Sequence, residues 1–132
     1  MIRGRCECNE VRFEVAGEIV DFGHCHCTQC RRLHGAAFAT FAAVDRKDFR
    51  YVAGEALVRS YTSSWRNERK FCSRCGSSIL VDPQDEPGVL YLSMSTIEGD
   101  PPKPRAYHAW VDSKAPWHDI DDDLAKFARD AS

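Results

Sequence analysis

Phe71-Cys72-Ser73-Arg74-Cys75-Gly76 places two thiols three positions apart, with a glycine directly after the second. A Cys-x-x-Cys turn lets both sulfurs face one ion, and the glycine lets the backbone fold back with its amides near those sulfurs. The segment reads as a zinc knuckle. A knuckle supplies only two of the four ligands of a tetrahedral thiolate site, so another pair has to come from elsewhere in the chain. Cys6-Glu7-Cys8 is such a pair.

The chain has seven cysteines in 132 residues. In a reducing compartment this density points to metal or thiol chemistry rather than disulfides, and the odd total argues against a complete disulfide framework. Once the two pairs are set aside, Cys25, Cys27 and Cys30 remain, crowded into Cys25-His26-Cys27-Thr28-Gln29-Cys30. Three protein ligands with a vacant fourth position are the signature of a catalytic or ligand-binding zinc. Spacing leaves two further arrangements open. His24, His26 or His34 could close the second site, or the chain could bind one zinc and keep the trio as reactive thiols. His26, lying between two ligands, is expected to point away from the metal, and His34 reads either as structural or as a proton shuttle.

A chain of this length suits one domain spanning residues 1–132, with enough mass to bury a core, so a metal would assist the fold rather than replace it. Hydrophobic residues make up 43% and charged residues 29%, as in soluble globular proteins. No apolar run approaches the roughly 20 residues of a membrane span, and Met1-Ile2-Arg3-Gly4-Arg5-Cys6 carries no secretory stretch. The expectation is a cytoplasmic protein with no membrane partner. The net charge of −2 and the lack of a basic tail count against nucleic acid. Basic residues gather at Arg59, Arg66, Arg69, Lys70 and Arg74, and acidic ones at Asp112, Asp119, Asp121, Asp122, Asp123 and Asp130. Both runs read first as solvated surface, although the basic cluster could attract a small anion.

The pattern along the chain is of short strands and frequent turns. Val11, Phe13 and Val15 alternate with Arg12 and Glu14, the mark of a half-buried strand. Further strands are expected at Ile19–Phe22, Phe38–Val44, Trp65–Phe71 and His108–Val111. Phe49–Val52 and Ala56–Tyr61 flank Gly54 and predict a hairpin. Ser78–Val81 and Val89–Ser93 flank the turn-rich run Asp82-Pro83-Gln84-Asp85-Glu86-Pro87-Gly88 and predict another. Thr28–His34 suits a helical turn closed by Gly35, and Pro101, Pro102 and Pro104 mark an extended loop. Leu124, Phe127 and Ala128 lie at helical spacing and predict a short C-terminal helix. Trp65, Trp110 and Trp117 read as core or rim aromatics.

Gly4-Arg5-Cys6-Glu7-Cys8, Val11-Arg12-Phe13-Glu14-Val15, Cys25-His26-Cys27-Thr28-Gln29-Cys30-Arg31-Arg32, Gly35-Ala36-Ala37-Phe38, the knuckle and Ser113-Lys114-Ala115-Pro116-Trp117 together resemble the glutathione-dependent formaldehyde-activating enzyme family, which includes centromere protein V. The resemblance runs from Gly4 to about Phe127. It implies a mainly β chain, specifically a β-tent fold of several coiled sheets built around a zinc ribbon. It implies two zinc ions: a structural one on Cys6, Cys8, Cys72 and Cys75, and a catalytic one on Cys25, Cys27 and Cys30 beside a glutathione pocket. All seven positions are occupied here. Asn9 stands where members often have glycine, and asparagine also tolerates a left-handed backbone.

The implied activity is that of a carbon–sulfur lyase acting on glutathione and a small aldehyde, forming or breaking S-hydroxymethylglutathione. Arg31 and Arg32, directly after Cys30, are candidates to grip a glutathione carboxylate; they read equally well as surface arginines or partners for a local carbonyl. Three thiolates neutralise the ion and make it a poor Lewis acid, which favours a rival reading as a glutathione carrier. The same thiols would also suit a thiol sensor or a protein-interaction module, and exposed strand edges could support a homodimer.

Overall fold

The computed structural model describes residues 1–131. Among them, eleven short strands and one α-helix follow one another, joined by turns and single 3-10 turns: β1 (Ile2–Arg5), β2 (Arg12–Val15), β3 (Asp21–Cys25), α1 (Thr28–His34), β4 (Ala39–Asp45), β5 (Phe49–Ala53), β6 (Val58–Thr62), β7 (Asn67–Cys72), β8 (Ser78–Pro83), β9 (Val89–Ser93), β10 (Tyr107–Ala109) and β11 (Ala125–Lys126). The protein is mainly β, as expected. A three-stranded sheet has the order β1-β2-β5, and an eight-stranded sheet the order β11-β10-β3-β4-β9-β8-β7-β6. Among the described residues no helix is long and apolar enough to cross a membrane.

The alternation of β2 buries Phe13 and Val15 and leaves Arg12 outside. Those side chains join Val11, Ile19, Ala42, Val44, Ile79 and Leu92 in one core shared by both sheets, with Cys6 and Cys72 among its buried members. Phe13 packs on Phe49 with ring centroids 5.2 Å apart, and Phe49 meets Tyr51 edge-on at 5.0 Å. Opposite Phe13 in the β1–β2 ladder stands Gly4, and the Phe13 ring fills the space a side chain would take there.

The hairpin expected of β8 and β9 forms, with Leu80 opposite Leu92 and Val81 opposite Tyr91. The one expected of Phe49–Val52 and Ala56–Tyr61 does not. β5 pairs with β2 in the small sheet, and β6 pairs with β7 at the edge of the large one. Gly54, at a left-handed φ of 75°, lies against the backbone of Glu10 and passes the chain from one sheet to the other instead of folding it back on itself. β1 carries no apolar alternation, and no strand is expected there from the sequence. Its side chains are partly exposed, and its pairing with β2 is what makes it a strand.

The expected C-terminal helix is also absent from the described residues. Ala125–Lys126 instead pair in parallel with β10. Beyond them Phe127 donates its amide to His108 O at 2.8 Å, and Trp110 donates to Arg129 O at 2.8 Å. One turn of helical spacing does not overcome the cost of helix nucleation, and the open edge of β10 offers these amides ready partners.

Gly4→Ala is expected to destabilise the fold by about 1–3 kcal/mol, because the new methyl meets a fully buried ring. Denaturant unfolding at constant metal loading measures this, and an unchanged midpoint would mean that the Phe13 ring does not cover Gly4.

Candidate metal centres

Two groups of sulfur atoms form, and the elements that hold them differ. Cys6 and Cys8 sit in the turn after β1. Asn9 closes that turn at a φ of 69°, with its amide donating to Cys6 O at 3.1 Å. Cys72 ends β7, and Gly76, at a φ of 81°, returns its amide to Cys72 O at 2.7 Å to shape the knuckle. The four Sγ atoms lie within 4.8 Å of one another. Cys6 and Cys8 are 3.6 Å apart at sulfur, and Cys8 and Cys72 3.9 Å. A tetrahedron with metal–sulfur bonds of about 2.3 Å has an edge of about 3.8 Å, so these spacings suit one ion. All seven cysteines are free thiols, with no disulfide competing for the sulfurs. Neutral donors surround the quartet: Val11 N–H donates to Cys6 Sγ at 3.3 Å, and the Ser77 hydroxyl lies 3.2 Å from Cys75 Sγ.

Cys25, at the end of β3, Cys27, at the N-cap of α1, and Cys30, inside the helix, form the second group, again with sulfurs within 4.8 Å. α1 is as expected, with Gly35 in the left-handed region at its C-terminus. Cys27 Sγ accepts from the Cys30 amide at 3.2 Å. The neighbouring side chain of Cys25, and then that of Cys30, holds the Cys27 thiol well below its ordinary range, and Cys27 in turn pushes Cys25 up.

Among the described residues no imidazole or carboxylate joins the trio. His24 Nδ1 lies 2.8 Å from Thr40 Oγ1. His26 Nε2 meets His108 Nδ1 at 2.8 Å, and His108 Nε2 meets Asp122 Oδ2 at 2.8 Å, so His26 is engaged away from the sulfurs. Burial, and then the neighbouring His108, lowers the His26 pKa to about 4 and keeps the ring neutral. His34 packs edge-on against Phe41, 5.5 Å between ring centroids. Cys25, Cys27 and Cys30 all line a cavity of about 1490 Å³, whose walls also include Phe41, Tyr91, Tyr107 and Arg69.

Arg31 and Arg32 face a different space. They line a cavity of about 250 Å³ with Thr28, Gly35, Ala36 and Trp117, and Thr28 lines both cavities. Arg31 Nη1 donates to Ser113 O at 2.9 Å. Trp110 lines the large cavity and Trp117 is 70% exposed, while the Trp65 side chain lies outside the described residues. The polar group that reading the sequence missed is Arg69. Its Nη1 lies 3.6 Å from Cys30 Sγ, and its Nη2 donates to Gln29 Oε1 at 2.8 Å. Its membership of the basic cluster was the only signal, and nothing local distinguishes it from Arg66 or Lys70.

The fold and its two thiol clusters define a β-rich protein equipped to hold metal through sulfur. The profile of the family "Glutathione-dependent formaldehyde-activating enzyme" matches residues 1–113, and the chain belongs to that family. A Halomonas elongata protein named as a putative glutathione-dependent formaldehyde-activating enzyme is 29% identical over 130 residues, spanning 92% of this chain and 82% of its own length. An uncharacterized lyase of Schizosaccharomyces pombe is 29% identical over 76 residues, 58% of this chain and 53% of that protein. A crystal structure of a Rhodobacter sphaeroides protein superposes with a TM-score of 0.62 at 27% identity, covering 76% of this chain and 91% of that one.

The two clusters should separate on substitution. Cys72→Ser is expected to lower thermal stability sharply and release a metal, since an ion buried in the core contributes folding free energy directly. Cys27→Ser should lose the other metal and keep the fold. Native mass spectrometry and thermal melts read both, and the reverse pattern would exchange the roles of the two clusters.

Proposed function

We propose that this protein binds glutathione at a zinc ion held by Cys25, Cys27 and Cys30, and interconverts glutathione plus a small aldehyde with S-hydroxymethylglutathione, a carbon–sulfur lyase reaction in the direction of breakdown. Family membership supports the substrate pair, and relatives named as an enzyme and as a lyase support the reaction class. The observation that carries the reading is the contrast between the clusters: four sulfurs close one centre, whereas three leave the other open to a large cavity. In this reading Cys6, Cys8, Cys72 and Cys75 hold a structural zinc inside the core.

Zinc at the trio supplies a stabilised, anionic thiol sulfur at neutral pH. The chain's own residues do the rest. The trio and the cavity wall fix where the sulfur sits, so an aldehyde admitted to the cavity meets it at close range. The sulfur lone pair forms the C–S bond, the carbonyl π pair moves onto oxygen, and a proton from solvent completes the hydroxymethyl group. Thr28, common to both cavities, gives glutathione a route by which one carboxylate reaches Arg31 and Arg32 while its sulfur stays at the trio.

The donor set favours one second reading, a glutathione carrier. Three thiolates offset the charge of the ion and leave little Lewis acidity, so sulfur would be held firmly and react slowly. Calorimetry on zinc-loaded protein, followed by NMR of S-hydroxymethylglutathione formation, tests both readings. Binding is expected in the unaltered protein and lost in Cys27→Ser. Binding with formation above the spontaneous rate supports the lyase, and binding without acceleration supports the carrier. No binding removes both readings.

A further inference from the structure

We propose that Arg69 is a positioning residue that makes the trio centre select an anionic sulfur as its fourth ligand. This rests on the reading of the trio as a glutathione-binding centre. The guanidinium is held from two sides. Nη1 is directed at Cys30 Sγ at 3.6 Å, and Nη2 donates to Gln29 Oε1 at 2.8 Å. Gln29 is itself fixed, its amide donating to Ser64 Oγ at 2.9 Å. Ser64, Gln29, Arg69 and the buried Cys30 thus form one chain along the wall of the large cavity. A planar fork pinned in this way keeps its charge at one place, which a freely rotating ammonium does not.

The charge of Arg69 is not spent elsewhere. Arg74, from the same basic cluster, pairs with Glu10, and Arg59 donates to the carbonyls of Ala56 and Val58. Among the described residues no carboxylate pairs with Arg69, and its Nε is buried without a partner. A half-buried guanidinium without a paired carboxylate needs another counter-charge, and the Cys30 sulfur of the trio is one that it contacts directly. Three thiolates around a divalent ion carry a formal charge of −1, which Arg69 brings to zero. A fourth thiolate then takes the site to −1 rather than −2. The quartet, which takes no incoming ligand, is surrounded instead by a backbone amide and a hydroxyl. A cation stands beside the centre that has a side to fill.

The consequence is selectivity for a thiolate over a neutral sulfur. S-methylglutathione has the carboxylates and backbone of glutathione but a thioether in place of the ionisable sulfur, so the ratio of the two affinities isolates the effect of sulfur charge. The test is calorimetric titration of zinc-loaded protein, Arg69→Met and Arg69→Lys with each ligand, with metal content measured alongside. The unaltered protein should prefer glutathione. In Arg69→Met that preference should shrink by roughly tenfold or more, the usual size of a charge-assisted hydrogen bond, with two metals per chain retained. Arg69→Lys should recover part of it. In cobalt-substituted protein, the rise in sulfur-to-metal charge-transfer absorption on adding glutathione should need a correspondingly higher concentration after Arg69→Met.

An equal loss of both ligands in Arg69→Met would overturn the proposal, because Arg69 would then be shaping the cavity without reading charge. An unchanged preference would also overturn it. So would loss of the trio metal, which would make Arg69 a support for the protein ligands rather than for the incoming one. Failure of the unaltered protein to bind glutathione is seen before any variant is made, and overturns the parent reading together with this one.

Discussion

Four sulfur atoms from two distant parts of the chain converge within 4.8 Å, and most of the architecture is arranged around that convergence. Cys6 and Cys8 leave the small sheet directly after β1, whereas Cys72 closes β7 in the large sheet. The cluster therefore bridges the two sheets. Cys6 and Cys72 are buried among Val11, Phe13 and Ile79, so the bridge lies inside the apolar core. Thiols there must be matched by a metal or by each other, because an uncompensated charge in such surroundings is costly. Left-handed Asn9 and Gly76 are what allow the two turns to aim their sulfurs at one point.

The trio is built on another plan. Its sulfurs come from a single stretch, where a strand end gives way to the first turns of a helix, so local geometry alone brings them together. That frees the rest of the fold to shape what faces them. The large sheet has β3 near one end and β7 near the other, yet Arg69 of β7 contacts Cys30 of α1 at the cavity wall. The buried His26–His108 pair, anchored by the exposed Asp122, engages His26 away from the sulfurs, and the three cysteines of the trio line the cavity. One residue type thus forms two clusters, one inside the core and one on the wall of a cavity.

Local chemistry made several elements legible. Gly35 ends α1 because a left-handed residue closes it there, and the proline- and aspartate-rich run between β8 and β9 left no choice but a turn. Other features were decided by competition between distant partners. Val58–Thr62 had the composition of a hairpin strand for β5 but found β7 instead. Leu124, Phe127 and Ala128 had helical spacing, but the unpaired edge of β10 offered their neighbours hydrogen bonds that a one-turn helix could not match. β1 has no pattern of its own, and Gly4 matters only because Phe13 comes to rest on it.

The sequence by itself determined the ligand chemistry: seven thiols in three groups, a knuckle closed by glycine, and a β-rich chain to carry them. Those properties depend on residue type and on spacings of a few positions, which the backbone converts into geometry without help from the rest of the molecule. Only the tertiary structure decided that the trio lines a large cavity, that Arg31 and Arg32 face a separate one, and that Arg69 rather than its equally basic neighbours stands beside Cys30. Those facts depend on how two sheets pair and coil, and strand pairing is set by the sum of many long-range contacts that no short stretch of residues encodes.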